Sequence, residues 1–188
     1  MKIQRVKEIP LLLDVTYGGG ATEKTTSITI DPSTIKISGS EKLLEGLDSL
    51  KIGSVNVAEL TSDTVRTFSI NLPEGVNNLT GVNEVTVTIA FPELRVKTLL
   101  VSNIVAVNVP AGMTVDIATK VCEVTVRGTE AQIAAITEDN LDIKVDLTGG
   151  ELGEGWYKAM VFVDTIYKGV GVVGSYNISV KLTGTGGT

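Results

Sequence analysis

The passage Ile35-Lys-Ile-Ser-Gly39-Ser-Glu41-Lys-Leu-Leu44 is echoed later in the chain by Val124-Thr-Val-Arg-Gly128-Thr-Glu130-Ala-Gln-Ile133. An internal repeat restricts the fold more than any single residue can, because each copy must be a foldable unit. In both copies apolar residues alternate with the period of a strand. Ile35 and Ile37, like Val124 and Val126, should therefore face a core while Lys36, Thr125 and Arg127 point the other way. Gly39 and Gly128 read as points where the chain leaves the strand through a turn that a Cβ would obstruct. Ser40 and Thr129 are placed to cap a short helix, and Glu41 and Glu130 suit the positive end of its dipole. Leu43, Leu44, Leu47 and Leu50 recur at helical spacing; Ile133 and Ile136 do so more weakly.

The remainder of each copy also corresponds. Alternating segments run from Ile52 to Leu60 and from Leu141 to Leu147, then Phe68 to Leu72 against Met160 to Asp164, then Val85 to Ile89 against Tyr176 to Leu182. The openings match as extended stretches, Ile9 to Tyr17 and Lys97 to Val109. Turn-rich loops such as Asp31-Pro32-Ser33, Leu72-Pro-Glu-Gly75 and Thr148-Gly-Gly-Glu-Leu-Gly153 join them. Val and Ile make up roughly a fifth of the residues and Thr about an eighth, a β-branched excess that favours strands. The expected fold is mainly β: two tandem small domains, residues 1–91 and 92–188, each with one short helix. Pro92 suits a stiff connection between them. Domains of about 90 residues can bury a modest core without disulfides. The closing Gly184-Thr-Gly-Gly-Thr188 reads as a frayed tail.

Composition removes several chemistries. The chain has no histidine and one cysteine. A Ser-His-Asp or Cys-His arrangement, a His-ligated zinc, an internal disulfide and a Cys-rich metal cage are therefore excluded. The net charge of −6 and the scatter of basic residues argue against nucleic acid as a partner. The most apolar stretch, Thr98 to Val109, is interrupted by Ser102 and Asn103 and is too short to cross a bilayer. The N-terminal residues have basic side chains, but Leu11 to Leu13 is too short for the apolar core of a signal peptide. The chain is expected to be either cytoplasmic or a piece of a longer exported protein.

The motifs that remain lack the partners their chemistry requires. Gly169-Val-Gly171-Val-Val-Gly174 spells a dinucleotide fingerprint, but alternating residues follow it where a helix is needed. It is read as a glycine-rich loop. Glu138, Asp139 and Asp142, and Glu151 with Glu154, could supply acid pairs for glycosidic cleavage. Their polar surroundings favour a solvated surface or a weak divalent-ion site. Cys122 shares the phase of Val124 and is read as a small buried apolar group. Trp156, Tyr157, Phe162, Tyr167 and Tyr176 either fill the second domain's core and edge or, in the case of Trp156 and Tyr157, form an exposed contact patch. No catalytic, cofactor-binding or metal-binding residues are assigned.

The segment Ser27-Ile-Thr-Ile-Asp-Pro-Ser-Thr-Ile-Lys-Ile-Ser-Gly-Ser-Glu41 with its short helix, then Leu72-Pro-Glu-Gly75 and Glu84-Val-Thr-Val-Thr-Ile89, resembles the YbbR family of bacterial surface-associated proteins. In the second copy Leu100-Val-Ser-Asn-Ile104, leading to Val126-Arg-Gly-Thr-Glu130, resembles the corresponding opening. The resemblance implies domains like the C-terminal domain of ribosomal protein L25, placed outside the cytoplasmic membrane behind a membrane helix that this sequence does not show. It implies a non-catalytic module that works through protein contacts. In one branch the partner is a membrane diadenylate cyclase that makes cyclic di-AMP. The alternative expectation is a structural spacer or adhesin-like cell-envelope module.

Overall fold

A computed structural model describes residues 4–148 and 152–185. The chain is mainly β and divides into two compact units. Residues up to Tyr17 pack with Thr22–Pro92, and Gly18–Ala21 pack with residues from Glu93 onward.

The first unit contains strands β1 (Gln4–Thr16), β2 (Ser27–Asp31), β3 (Thr34–Ser40), β4 (Leu50–Asn56), β5 (Thr64–Ser69), β6 (Asn77–Asn78) and β7 (Glu84–Ala90), with helix α1 (Glu41–Glu45) after β3. One sheet has the order β4-β1-β3-β6 and the other β2-β7-β5. The long β1 serves two partners in turn. Gln4 to Pro10 pair antiparallel with β3, and Leu11 to Thr16 pair in parallel with β4. Alternation then places Ile9, Ile35, Ile37, Val85, Val87 and Ile89 in the core, where they are fully buried.

The second unit contains β8 (Leu94–Val101), β9 (Ile104–Val107), β10 (Met113–Ile117), β11 (Cys122–Thr129), β12 (Leu141–Asp146), β13 (Gly155–Thr165), β14 (Gly171–Val173) and β15 (Tyr176–Gly184), with α2 (Glu130–Ala135) after β11. Here β8 and β9 together take the place of β1. The first pairs antiparallel with β11 and the second in parallel with β12. The sheets are β14-β11-β8 and β10-β15-β13-β12-β9. Val124, Val126, Ile143, Val145, Ile178, Val180 and Leu182 meet in one buried cluster.

Equivalent lysines tie each short helix to its first strand. Lys7 lies opposite Ile37, and its Nζ donates to the Leu44 carbonyl at 3.0 Å while pairing with Asp48 at 2.6 Å. Lys97 lies opposite Val126 and donates to the carbonyls of Ile136 at 2.7 Å and Ile133 at 3.5 Å. The last carbonyls of a helix have no partner within it, and a cation there also meets the negative end of the dipole.

Several sequence expectations are corrected. Arg127 does not point to solvent; it is 1% exposed. Gly39 and Gly128 lie inside β3 and β11 rather than at turns. Their lack of a side chain serves close packing instead: a Cβ on Gly128 would stand 2.9 Å from Gln132 Oε1 and 3.1 Å from Val170, and one on Gly39 would stand 3.2 Å from the Gly75 carbonyl oxygen. Ser40 makes no side-chain cap, whereas at α2 the Gln132 Oε1 accepts from the Thr129 N–H at 2.8 Å. Helix α1 ends at Glu45, so Leu50 belongs to β4 and not to a helical face. Gly184 closes β15, and Thr185 donates to the Gly112 carbonyl at 2.8 Å, so the tail is held at least to that residue. Residues 186–188 lie outside the described residues.

Candidate functional site

Strand β13 is the middle strand of the five-stranded sheet. Its even-numbered residues all face away from the core because successive side chains alternate across the sheet. Three of them are large and apolar: Trp156 is 63% exposed, Met160 63% and Phe162 61%. Isolated exposed apolar side chains are ordinary, but a line of three on one strand is a candidate contact surface. Lys158 shares this face, and the register places Lys181 of β15 beside Trp156. The Lys181 ammonium lies 5.9 Å from the indole centroid, within reach of a cation–π attraction. Toward the other end of the strand Asp164 stands opposite Asp142 and pairs with Lys144 at 3.0 Å.

Tyr157 is not part of this face. Being one residue on from Trp156, it points to the opposite side, where it packs against the core cluster and its hydroxyl donates to the Gly153 carbonyl at 3.0 Å. The expected strand began at Met160, whereas β13 begins at Gly155. Extending the alternation back over Gly155 to Ala159 would have separated the two aromatics and joined Trp156 to Met160 and Phe162. Tyr167 and Tyr176 also pack against the core. The Tyr176 hydroxyl donates to the Val173 carbonyl at 2.6 Å and accepts from the Thr125 N–H at 2.9 Å.

Arg127 is committed to structure. Its guanidinium donates to the carbonyls of Gly19 at 2.8 Å and Gly18 at 3.0 Å. Burial lowers its pKa from the ordinary value, yet a guanidinium starts so high that it keeps its charge. Gly171, directly opposite Arg127 in the register, lets the loop approach: a Cβ there would lie 1.8 Å from the Gly20 nitrogen. The glycine triplet therefore serves backbone packing. Gly169 and Gly174 take positive φ of 85° and 84°, and the intervening residues form β14, so no helix follows to receive a phosphate.

The carboxylates are dispersed. Asp142 accepts from Asn103 at 2.9 Å, Glu154 accepts from the Gly184 N–H at 2.9 Å, and Glu138 and Asp139 start a turn of 3-10 helix. Glu151 lies outside the described residues. Among the described residues, no three Asp, Glu or Cys side chains come close enough to hold a metal ion. Cys122 is partly buried, and burial, then the charge of Glu123, push its thiol pKa up, away from the reactive thiolate. No helix among the described residues is long and apolar enough to cross a membrane.

The family described as YbbR-like protein matches residues 9–89. Among solved structures, a YbbR-like protein from Streptococcus pneumoniae TIGR4 aligns over 97% of this chain and 96% of its own, with 16% identity and a TM-score of 0.34. A YbbR family protein from Desulfitobacterium hafniense DCB-2 aligns over 50% of this chain and 93% of its own, with 29% identity and a TM-score of 0.36. A protein from Streptococcus thermophilus aligns over 47% and 86%, with 23% identity and a TM-score of 0.37. No curated protein matches the chain. Residues 9–89, the first of the two repeats, carry the match to the YbbR-like family.

Proposed function

We propose that this protein is a non-catalytic interaction module that works at the extracytoplasmic face of a bacterial cell membrane and regulates a membrane diadenylate cyclase through protein contact. The observation that carries the reading is the line Trp156, Met160 and Phe162, exposed on the central strand of the widest sheet. Exposed aromatic and methionine side chains of this kind are enriched at the centres of protein interfaces and dominate their energetics. The cyclase as partner rests on the resemblance to the YbbR family.

The test is co-purification of the protein with the cyclase from membranes, together with cyclic di-AMP levels in cells. Trp156→Ala combined with Phe162→Ala should weaken the association at least tenfold, the usual consequence of removing two central anchors. Cyclic di-AMP should change in the same direction as deletion of the protein. Unchanged association and unchanged cyclic di-AMP in the double variant would sink the proposal.

A further inference from the structure

We infer that the exposed face of β13 binds a second copy of this chain, face to face and with the two β13 strands antiparallel. The inference rests on the reading of this face as a contact surface; because the dimer buries Trp156 and Phe162, the two contacts are mutually exclusive and the cyclase engages these side chains only when the dimer parts. Charge is distributed unevenly along the strand. Lys158 and, across the register, Lys181 stand with Trp156 at the N-terminal end, where Asp116 of β10, opposite Lys181, is paired with Lys120 at 3.5 Å and leaves the basic charge in excess. Asp164 and Asp142 stand at the C-terminal end, where Lys144 pairs with Asp164 and leaves the acidic charge in excess. Met160 and Phe162 occupy the middle.

A surface that is positive at one end, apolar in the middle and negative at the other is complementary to itself when turned through a two-fold axis near Met160. With the axis between Met160 and Phe162, Lys158 of each copy meets the partner's Asp164 and Met160 meets the partner's Phe162. Such an isologous contact closes on itself and leaves no open chain of subunits. Parallel strands would instead oppose lysine to lysine. An anionic membrane would have to accommodate both carboxylates, which disfavours it as the occupant.

The face is large enough. Five strands about 4.8 Å apart span about 24 Å, and about 25 Å of strand length gives roughly 600 Å² per copy, near the roughly 800 Å² per partner of a stable interface. Two sheets packed in this way lie about 10 Å apart, a gap that Trp, Met and Phe side chains can fill.

Sedimentation equilibrium of the whole chain at about 10–200 μM tests the inference, a range in which a moderately stable homodimer is populated. The expected result is a dimer that Lys158→Asp or Asp164→Lys alone weakens about tenfold and that the two substitutions together restore. Both side chains are exposed, so circular dichroism should stay unchanged and separate lost association from lost folding. A monomer throughout that range, single variants as dimeric as the original, or failure of the double exchange to restore the dimer would overturn the inference. A monomer whose Trp156→Ala, Phe162→Ala variant loses the cyclase overturns the dimer and leaves the contact face standing. A monomer whose same variant keeps the cyclase overturns both.

Discussion

The two units share one plan and differ at one seam. In the second, β13 pairs with β15 through its first half and with β12 from Val161 onward, joining five strands in one sheet. In the first, β5 pairs with β7 alone, and β4 ends the other sheet. Two local features account for the break. Past β5 the chain runs into Pro73, which has no N–H to donate, and Gly75, with φ of 85°. The register between β1 and β4 also slips near Gly53, where a bulge disturbs the edge that a fifth strand would use. The Phe68 ring covers that position: a Cβ on Gly53 would stand 2.5 Å from it. A short strand and a bulge thus yield two narrow sheets, whereas an eleven-residue strand yields one wide sheet with an exposed apolar line along its middle.

Substitutions of glycine should break this comparison most strongly. Gly171→Ala forces a Cβ to within 1.8 Å of a backbone nitrogen, and Gly53→Ala meets only the ring of Phe68. Backbone cannot yield as a side chain can. Gly171→Ala should destabilise the second unit by about 3 kcal/mol or more, and Gly53→Ala the first by about 1 kcal/mol. Residue-resolved hydrogen exchange in each unit would measure both, and equal effects would contradict the assignment of Gly171 to close backbone approach.

Arg127 and Ser38 occupy equivalent places in β11 and β3, each one residue before the strand glycine, and both are buried. Arg127→Met removes the donors to two glycine carbonyls and should cost the second unit about 3 kcal/mol. Ser38→Ala removes one hydroxyl and should cost the first unit about 1 kcal/mol. Chemical denaturation followed by exchange in each unit gives the comparison.

The smallest effect concerns pH. The hydrogen bond from Lys7, then its charge, hold the Asp48 carboxyl below the ordinary range; in the second unit the hydrogen bond from Asn108, then those from Thr148, do the same for Asp146. A carboxyl whose pKa falls on folding contributes stability above its unfolded value, and the contribution disappears as pH falls through the folded value. Lys7→Met should therefore raise the Asp48 pKa toward the ordinary value and leave Asp146 lowered, as read by carboxyl-detected NMR titration. An unmoved Asp48 would break the link between Lys7 and the end of α1.

Much of the fold was legible because a strand states its own alternation. Val124, Val126, Ile35 and Ile37 were placed in the core by period alone, and both short helices were found after the strand glycines. Phe68 was matched to Met160, yet Phe68 faces inward opposite Val85 while Met160 faces out. A one-residue error of phase moves a side chain to the other side of a sheet, and short alternating runs separated by insertions do not set that phase. The same kind of error joined Tyr157 to Trp156.

The sequence by itself determined the β character, the repeated unit, its short helices and the absence of histidine chemistry, since each is a property of composition or of neighbours along the chain. Tertiary structure decided which outward positions are covered. By alternation Arg127 points away from the core, but Gly18 and Gly19, more than a hundred positions earlier, lie over it and accept its hydrogen bonds. Trp156, Met160 and Phe162 also point away from the core, and on the described surface they stay exposed. Periodicity reports which way a side chain leaves its strand; only the pairing of distant segments decides whether water, backbone or another molecule meets it there.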